Sequence, residues 1–358
     1  MLENLNCTQS SRAEQLQFLR FAAFLNVFLL HVGELIHVPF STWNSAISSV
    51  SFFFILSGAT TGFSGYAKMC ELSWRAVADD ICRKLKKMYP LYFLVTFFSV
   101  FYSDLPTLLA NHAFADAFTP LKLFVKHLLL LQSWFPAGYF GFSGVGWFLS
   151  TLLSLCLLNR PLMVFLKKTE KCRHYFLLYG FLIAFFLLLT TVYCYLTRNT
   201  DMPFTQYVFP PARAGEYLSG MVLGFGLHRW QSQCKPRTKT VLPFTVLEIA
   251  VLVFWGVAVL AAPDSDSWCN YTVCWVVPNL FVIGVYLCGF GQISRLFRWK
   301  PLVKLGDITF TCFLIHQVVI ILYISLSHAA FLSRLRDLLA VLLCLSFTVL
   351  SALYLSKT

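Results

Sequence analysis

Long apolar runs, each about the length of a bilayer crossing, alternate along the chain with short polar segments. A helix needs about 20 apolar residues to cross the hydrocarbon. Runs of that kind are predicted over 19–38, 47–66, 89–104, 146–166, 174–196, 208–228, 241–262, 271–291, 306–327 and 337–356. They predict an all-α fold: a polytopic integral membrane helical bundle of about ten transmembrane helices, forming one domain over 1–358. The segment 118–136 differs, because Lys122, Lys126 and His127 stand in its first half. That pattern suits an interfacial or re-entrant helix better than a crossing, and it lies within a long outer loop, 105–145.

Composition strengthens this reading. The 358 residues are 58% hydrophobic and only 12% charged, against roughly 25% charged in soluble domains. Glu3, Arg12 and Glu14 lie in a polar N-terminal stretch, unlike the basic region and short apolar core of a cleaved signal. The first run is therefore expected to be both insertion signal and part of the fold.

A net charge of +12 would suit nucleic acid only if the cations formed one surface. Instead they fall in short segments between apolar runs. With the N-terminus inside and ten crossings, 22 of the 28 Lys and Arg residues lie on the inner side, which is the positive-inside pattern. Counting 118–136 as a crossing would move the 167–173 basic cluster outside. Both termini are thus expected in the cytoplasm, with the lipid bilayer as partner and no nucleic acid. The twelve cysteines show no CxxC or Cys/His spacing, so no metal site is expected. Cys269 and Cys274 share an outer loop edge and are read as either bridged or free. Asn6 and Asn270 begin glycosylation sequons.

The candidate chemistry starts in the first run. Arg20 and His31 are eleven residues apart, three helical turns and about 16 Å along the axis, so they share a face. Glu34 follows His31 by one turn and can orient its ring. A histidine inside a crossing is either a packed, hydrogen-bonded residue or a general base, and Arg20 either an interfacial anchor or a holder of a phosphate-bearing ligand. Arg83, Lys84, Lys86 and Lys87 precede Pro90, placed at the start of the third crossing. They read as a positive-inside anchor or as an anion clamp, with Lys84 and Lys87 on one face. Ser57 and Gly58 permit close helix approach, or Ser57 lines a cavity. Trp147 is an interfacial anchor or a wall of an acceptor site. Arg213 and Glu216 are one turn apart and form an ion pair, with Gly220 and Gly224 as a packing face. His316 lies at a depth similar to that of His31 and is expected to share its cavity.

Leu19-Arg20 with ten residues before His31, the run 52–58 (FFFILSG), Tyr89-Pro90-Leu91-Tyr92 after the basic run, Trp147-Phe148-Leu149-Ser150, Arg213-x-x-Glu216 with Gly220, and Leu314-Ile315-His316-Gln317 occur in this order. The ordered set resembles the acyltransferase-3 family of integral membrane acyltransferases. The resemblance implies transfer of an acyl group, usually acetyl, from cytoplasmic acyl-CoA to a hydroxyl of a carbohydrate or cell-surface glycan. No permanently bound cofactor is implied, and the cell membrane is the implied location. His31 maps onto the family's essential base, and Arg20 onto its donor-holding arginine. Lys84-x-x-Lys87, or Arg83-x-x-Lys86 in the alternative register, stands where the family carries Arg-x-x-Arg. Lysine keeps the charge but loses the bidentate fork. Ser57, Trp147, Arg213, Glu216 and His316 are the expected acceptor-side residues. Two other classes fit parts of the sequence: a transporter of a lipid-linked or acylated glycan with His31 and Glu34 in proton coupling, and a non-catalytic scaffold.

Overall fold

A computed structural model of the chain describes residues 13–36, 42–66, 71–100, 118–233, 241–263, 267–327 and 335–356. The Asn6 sequon, both chain ends and the loop residues 105–117 lie outside the described residues. Among the described residues the fold is entirely helical. The helices are α1 (Gln15–Ile36), α2 (Trp43–Gly65), α3 (Trp74–Ser99), α4 (Phe118–Leu128), α5 (Gly146–Cys156), α6 (Asn159–Lys168) and α7 (Tyr175–Leu196). Then come α8 (Pro210–Gln233), α9 (Val241–Ala261), α10 (Val273–Cys288), α11 (Gln292–Phe297), α12 (Lys300–Ser327) and α13 (Leu335–Leu355). A single 3-10 turn, Gln132–Trp134, follows α4, and a π-helical turn, Pro203–Val208, leads into α8.

Five of these helices are long and apolar enough to cross a membrane, and α5 with α6 makes a sixth if that pair, bent by 40°, is one span. Two shorter apolar stretches, Val273–Cys288 and Val341–Leu355, add to them. Helix α2 is the centre of the bundle, with 72% of its apolar window buried, against 17% in α7 and α9. The latter two turn side chains such as Leu177, Phe181, Leu188, Val246 and Leu260 outward, as a lipid-facing helix does.

Helix α2 packs most extensively on α8, and glycines on both helices set the spacing. A Cβ at Gly58 would fall 2.0 Å from the Tyr217 carbonyl oxygen, and one at Gly224 would fall 2.0 Å from that of Ala59. Gly62 and Gly220 meet the opposite backbone in the same way. The small-residue face expected at Gly220 and Gly224 therefore exists: it docks onto the backbone of Ile55 and Ala59, while Gly58 and Gly62 receive that of Tyr217 and Met221.

Two expectations are corrected. The third crossing was placed at 89–104 with Pro90 at its start, but α3 begins at Trp74, where the Ser73 hydroxyl accepts from the Ala76 amide at 3.2 Å. Pro90 lies well inside the helix, and the basic run is helical. The fourth crossing was read as one run over 146–166, but it breaks after Cys156 and resumes at Asn159. Pro161 has no N–H to give the Leu157 carbonyl and its ring crowds that carbonyl, so the helix cannot run straight through. Polar groups at the break are taken by neighbours: Tyr217 donates to Asn159 Oδ1 at 2.6 Å, and Arg160 Nε donates to Asp80 at 2.6 Å.

Residues 118–145 form a strap held between α3 and α5. Tyr92 and Tyr89 donate to the carbonyls of His127 and Leu128 at 2.8 and 2.9 Å. The Ser150 hydroxyl donates to that of Leu130 at 2.5 Å. Beyond the 3-10 turn the chain folds back over α4, where His127 Nε2 donates to Gly138 O at 2.9 Å. Near the other end of the chain, Cys269 and Cys274 are free thiols. Asn270 is buried, its amide donating to Asn44 Oδ1 at 2.9 Å and Pro263 O at 2.8 Å, so this sequon is closed in the folded protein.

Candidate functional site

Helix α1 places Arg20 and His31 on one face, as the eleven-residue spacing requires. His31 lines a cavity of about 270 Å³. That is just under the 300–1,000 Å³ of sites for drug-sized ligands, so it holds one ring or a short chain end. Five aromatic side chains stand in the wall among aliphatic ones: Trp43 from the start of α2, Phe140 from the strap, Trp147 from α5, Tyr207 from the π-helical turn and Phe313 from α12. Gln317 on α12 adds an amide. Gly144 lets the strap approach it, since a Cβ there would lie 2.8 Å from the Gln317 oxygen. Trp147 and Tyr207 pack with ring centroids 4.5 Å apart.

Behind His31 stands His316 of α12, with ring centroids 5.4 Å apart and planes tilted by 32°. His316 is fully buried. Its Nδ1 lies 2.7 Å from the Phe313 carbonyl oxygen. A carbonyl only accepts, so Nδ1 carries the hydrogen and Nε2 is a bare lone pair. Nε2 has no hydrogen-bond partner among the described residues. Phe24, Phe28 and Phe313 enclose the ring, with centroids 5.7, 6.3 and 5.8 Å away. Phe53 and Phe148 pack on Phe313 in turn, so an aromatic mass continues from the cavity into the bundle.

The other expected acceptor-side residues divide. Trp147 lines the cavity. Arg213 and Glu216 are both fully buried, 3.0 Å apart, but neither lines it. The Ser51 hydroxyl donates to Glu216. Arg213 donates from Nε to Tyr207 O at 2.8 Å, and its guanidinium sits 4.8 Å from the centre of the Tyr207 ring. The pair therefore braces the wall that Tyr207 belongs to. Ser57 is also away from the cavity; its carbonyl accepts from Thr61 Oγ1 at 2.8 Å, and its neighbour Gly58 makes the close approach to α8. Glu34 is on α1, with its side chain outside the described residues.

None of the five expected donor-binding cations lines the cavity. Arg20 donates to Gln17 Oε1 at 3.3 Å, one turn back on its own helix. Arg83 pairs with Asp80 while its side chain stays 70% exposed. Lys84 turns inward, its Nζ 2.8 Å from Cys156 Sγ. Lys86 and Lys87 are exposed. Lys84 and Lys87 share a helical azimuth by spacing, yet Lys84 is held by α5 and Lys87 is open to an incoming anion.

Sequence reasoning missed Trp43, Phe140, Tyr207 and Gln317. Only Gln317, directly after His316 in a quoted stretch, carried a signal; the rest arrive from loops and helix ends. With this geometry in place, comparison with known proteins gives one match. Residues 14–357 match a family model described as an acyltransferase domain. No curated protein and no solved structure matches the chain.

Proposed function

The chain belongs to the acyltransferase-3 family and is an integral membrane acyltransferase, and from that premise we propose that it moves an acyl group, acetyl by preference, from cytoplasmic acyl-CoA to a hydroxyl of a carbohydrate or cell-surface glycan. The observation that carries this reading is His31 in the wall of a small, partly aromatic cavity, backed by a second histidine. In the proposed reaction His31 takes the proton of the acceptor hydroxyl. The oxygen attacks the thioester carbonyl, the C–S bond breaks, and the proton passes to the departing CoA sulfur. An ester and free CoA result. General-base help of this kind contributes about 10²–10⁴ in rate. Aromatic side chains suit the apolar faces of a sugar ring, and the Gln317 amide is a hydrogen-bonding group beside them.

The donor phosphates are assigned to Arg20, Arg83, Lys84, Lys86 and Lys87. In this proposal the chain crosses the cell membrane ten times with both termini in the cytoplasm, so that the set is on the donor's side. The test is acetyl-CoA binding to the purified protein in nanodiscs, compared with Arg20→Ala and with Lys84→Ala/Lys87→Ala. Saturable binding, weakened in both variants, is expected. No saturable binding to the wild type would remove the donor and leave a transporter, with His31 in proton coupling.

A further inference from the structure

We infer that His316 is the positioning partner of His31: its Nε2 lone pair is placed to receive the N–H of the His31 ring, and that bond selects the tautomer whose lone pair is on the other His31 nitrogen. The inference rests on the reading of His31 as a base. Three observations carry it. The Phe313 carbonyl holds the His316 hydrogen on Nδ1, so Nε2 only accepts. That acceptor is buried without a partner among the described residues, a costly state that native interiors rarely keep. The rings packed on His316 are Phe24, Phe28, Phe313 and His31, and of these only His31 has an N–H to give.

A histidine kept only for packing would be replaced here by phenylalanine at no polar cost. The arrangement follows the logic by which a third group orients a catalytic base. When His31 takes the proton of the acceptor hydroxyl it becomes an imidazolium. Its N–H toward the fully buried His316 is then charge-assisted. His316 neither gains nor loses a proton in the cycle, since the same proton leaves His31 for the CoA sulfur. Glu34, one turn along α1, is the competing orienter that the spacing suggests.

The two nitrogens of His316 can be tested separately. Glutamine at 316 keeps an acceptor oxygen near the Nε2 position, asparagine keeps an amide N–H near Nδ1 for the Phe313 carbonyl, and phenylalanine keeps neither. The measurement is release of CoA thiol from acetyl-CoA by membranes carrying the full chain at equal protein level, above the His31→Ala background. His316→Phe and His316→Asn are expected to lose kcat by about 10–100-fold, the usual cost of losing a histidine's outer partner. KM for acetyl-CoA should stay within about twofold, because this partner acts on the base and not on donor binding. His316→Gln should recover most of the rate, and Glu34→Gln should lose less than His316→Phe. If His316→Phe does not fold, the Gln and Asn variants alone decide. Equal loss in Gln and Asn, full activity in Phe, or a larger loss in Glu34→Gln would overturn the inference while the base role of His31 stands. A wild type no more active than His31→Ala would overturn the underlying reading, and the inference with it.

Discussion

Around His31, side chains from α1, α2, the strap, α5, the π-helical turn and α12 converge on one small space. Around Arg83–Lys87 the cations come from α3, with Arg160 of α6 sharing Asp80, and two of the run are already engaged, with Asp80 and Cys156. The first region is fixed by packing: a ring cannot move in a close-packed interior without displacing its neighbours. The second is a row of long side chains that reorient in water at little cost. The difference fits two tasks. Chemistry on one hydroxyl needs a base held within a fraction of an ångström, whereas gathering a multiply charged phosphate needs charge more than geometry. Substitutions in the cavity should act on rate and fold, those on α3 on donor affinity.

The largest break in that division is expected at His31. His31→Ala should lower CoA release by about 10²–10⁴-fold, with acetyl-CoA binding in nanodiscs unchanged. If binding fell in parallel, the two regions would be one site.

Glu216 comes next. Removing its carboxylate leaves Arg213 charged and buried, which costs about 3–5 kcal/mol, so Glu216→Ala should lower the thermal midpoint in detergent and the yield of folded protein. Replacing both partners, as Arg213→Met with Glu216→Leu, should regain most of the midpoint, since the burial penalty of both charges disappears together. Activity should not return with it, because Tyr207 loses the guanidinium that holds its carbonyl and ring. A double variant with full activity would show that the ion pair has no bearing on the cavity.

The basic run gives a smaller effect. Lys87→Ala removes one exposed charge and should raise the acetyl-CoA KM a few-fold, more at low salt than at high, because exposed charges are screened over about 8–10 Å at ordinary ionic strength. Lys84→Met should do more, since it removes both a charge and the contact to the Cys156 sulfur that orders the end of α5. Equal effects would mean that Lys84 leaves the Cys156 sulfur when donor binds.

The contrast also explains how far the sequence could be read. Helices α1, α2, α7 and α9 lie where apolar length puts them, because in lipid a continuous helix satisfies every backbone group. The start of α3 was hidden because charges in a helix that leaves the membrane look like a loop, and Ser73 alone marks the cap. His31, Trp147 and His316 were legible as ionisable or aromatic residues at unusual depth. Phe140, Gly144 and Tyr207 were not, since they reach the cavity through irregular backbone that has no period. Arg213 and Glu216 were legible as a pair but not as the support of Tyr207, a residue recorded only by its place in space.

The strap that supplies Phe140 yields the smallest expected effect and the finest test of the division. His127 holds the strap to itself through Gly138 O, and burial pushes its imidazole down to about 4, against an ordinary value near 6.5. Between about pH 6.5 and 4 the unfolded chain binds a proton at this ring and the folded chain does not, so stability is intact above that window and falls as pH drops through it. Below about 4 both states are charged and this contribution levels off. Thermal midpoints measured from pH 7.5 to 4.5 should therefore decline in the wild type and decline less in His127→Gln, whose amide can still donate to Gly138 O. Acetyl-CoA binding should follow neither curve, because the clamp joins His127 to Gly138 within the strap and includes none of the α3 cations. An identical decline in both proteins would place the acid-sensitive group elsewhere. A parallel loss of donor binding would tie the strap to the donor, and the cavity and the basic run would then have to be treated as one unit.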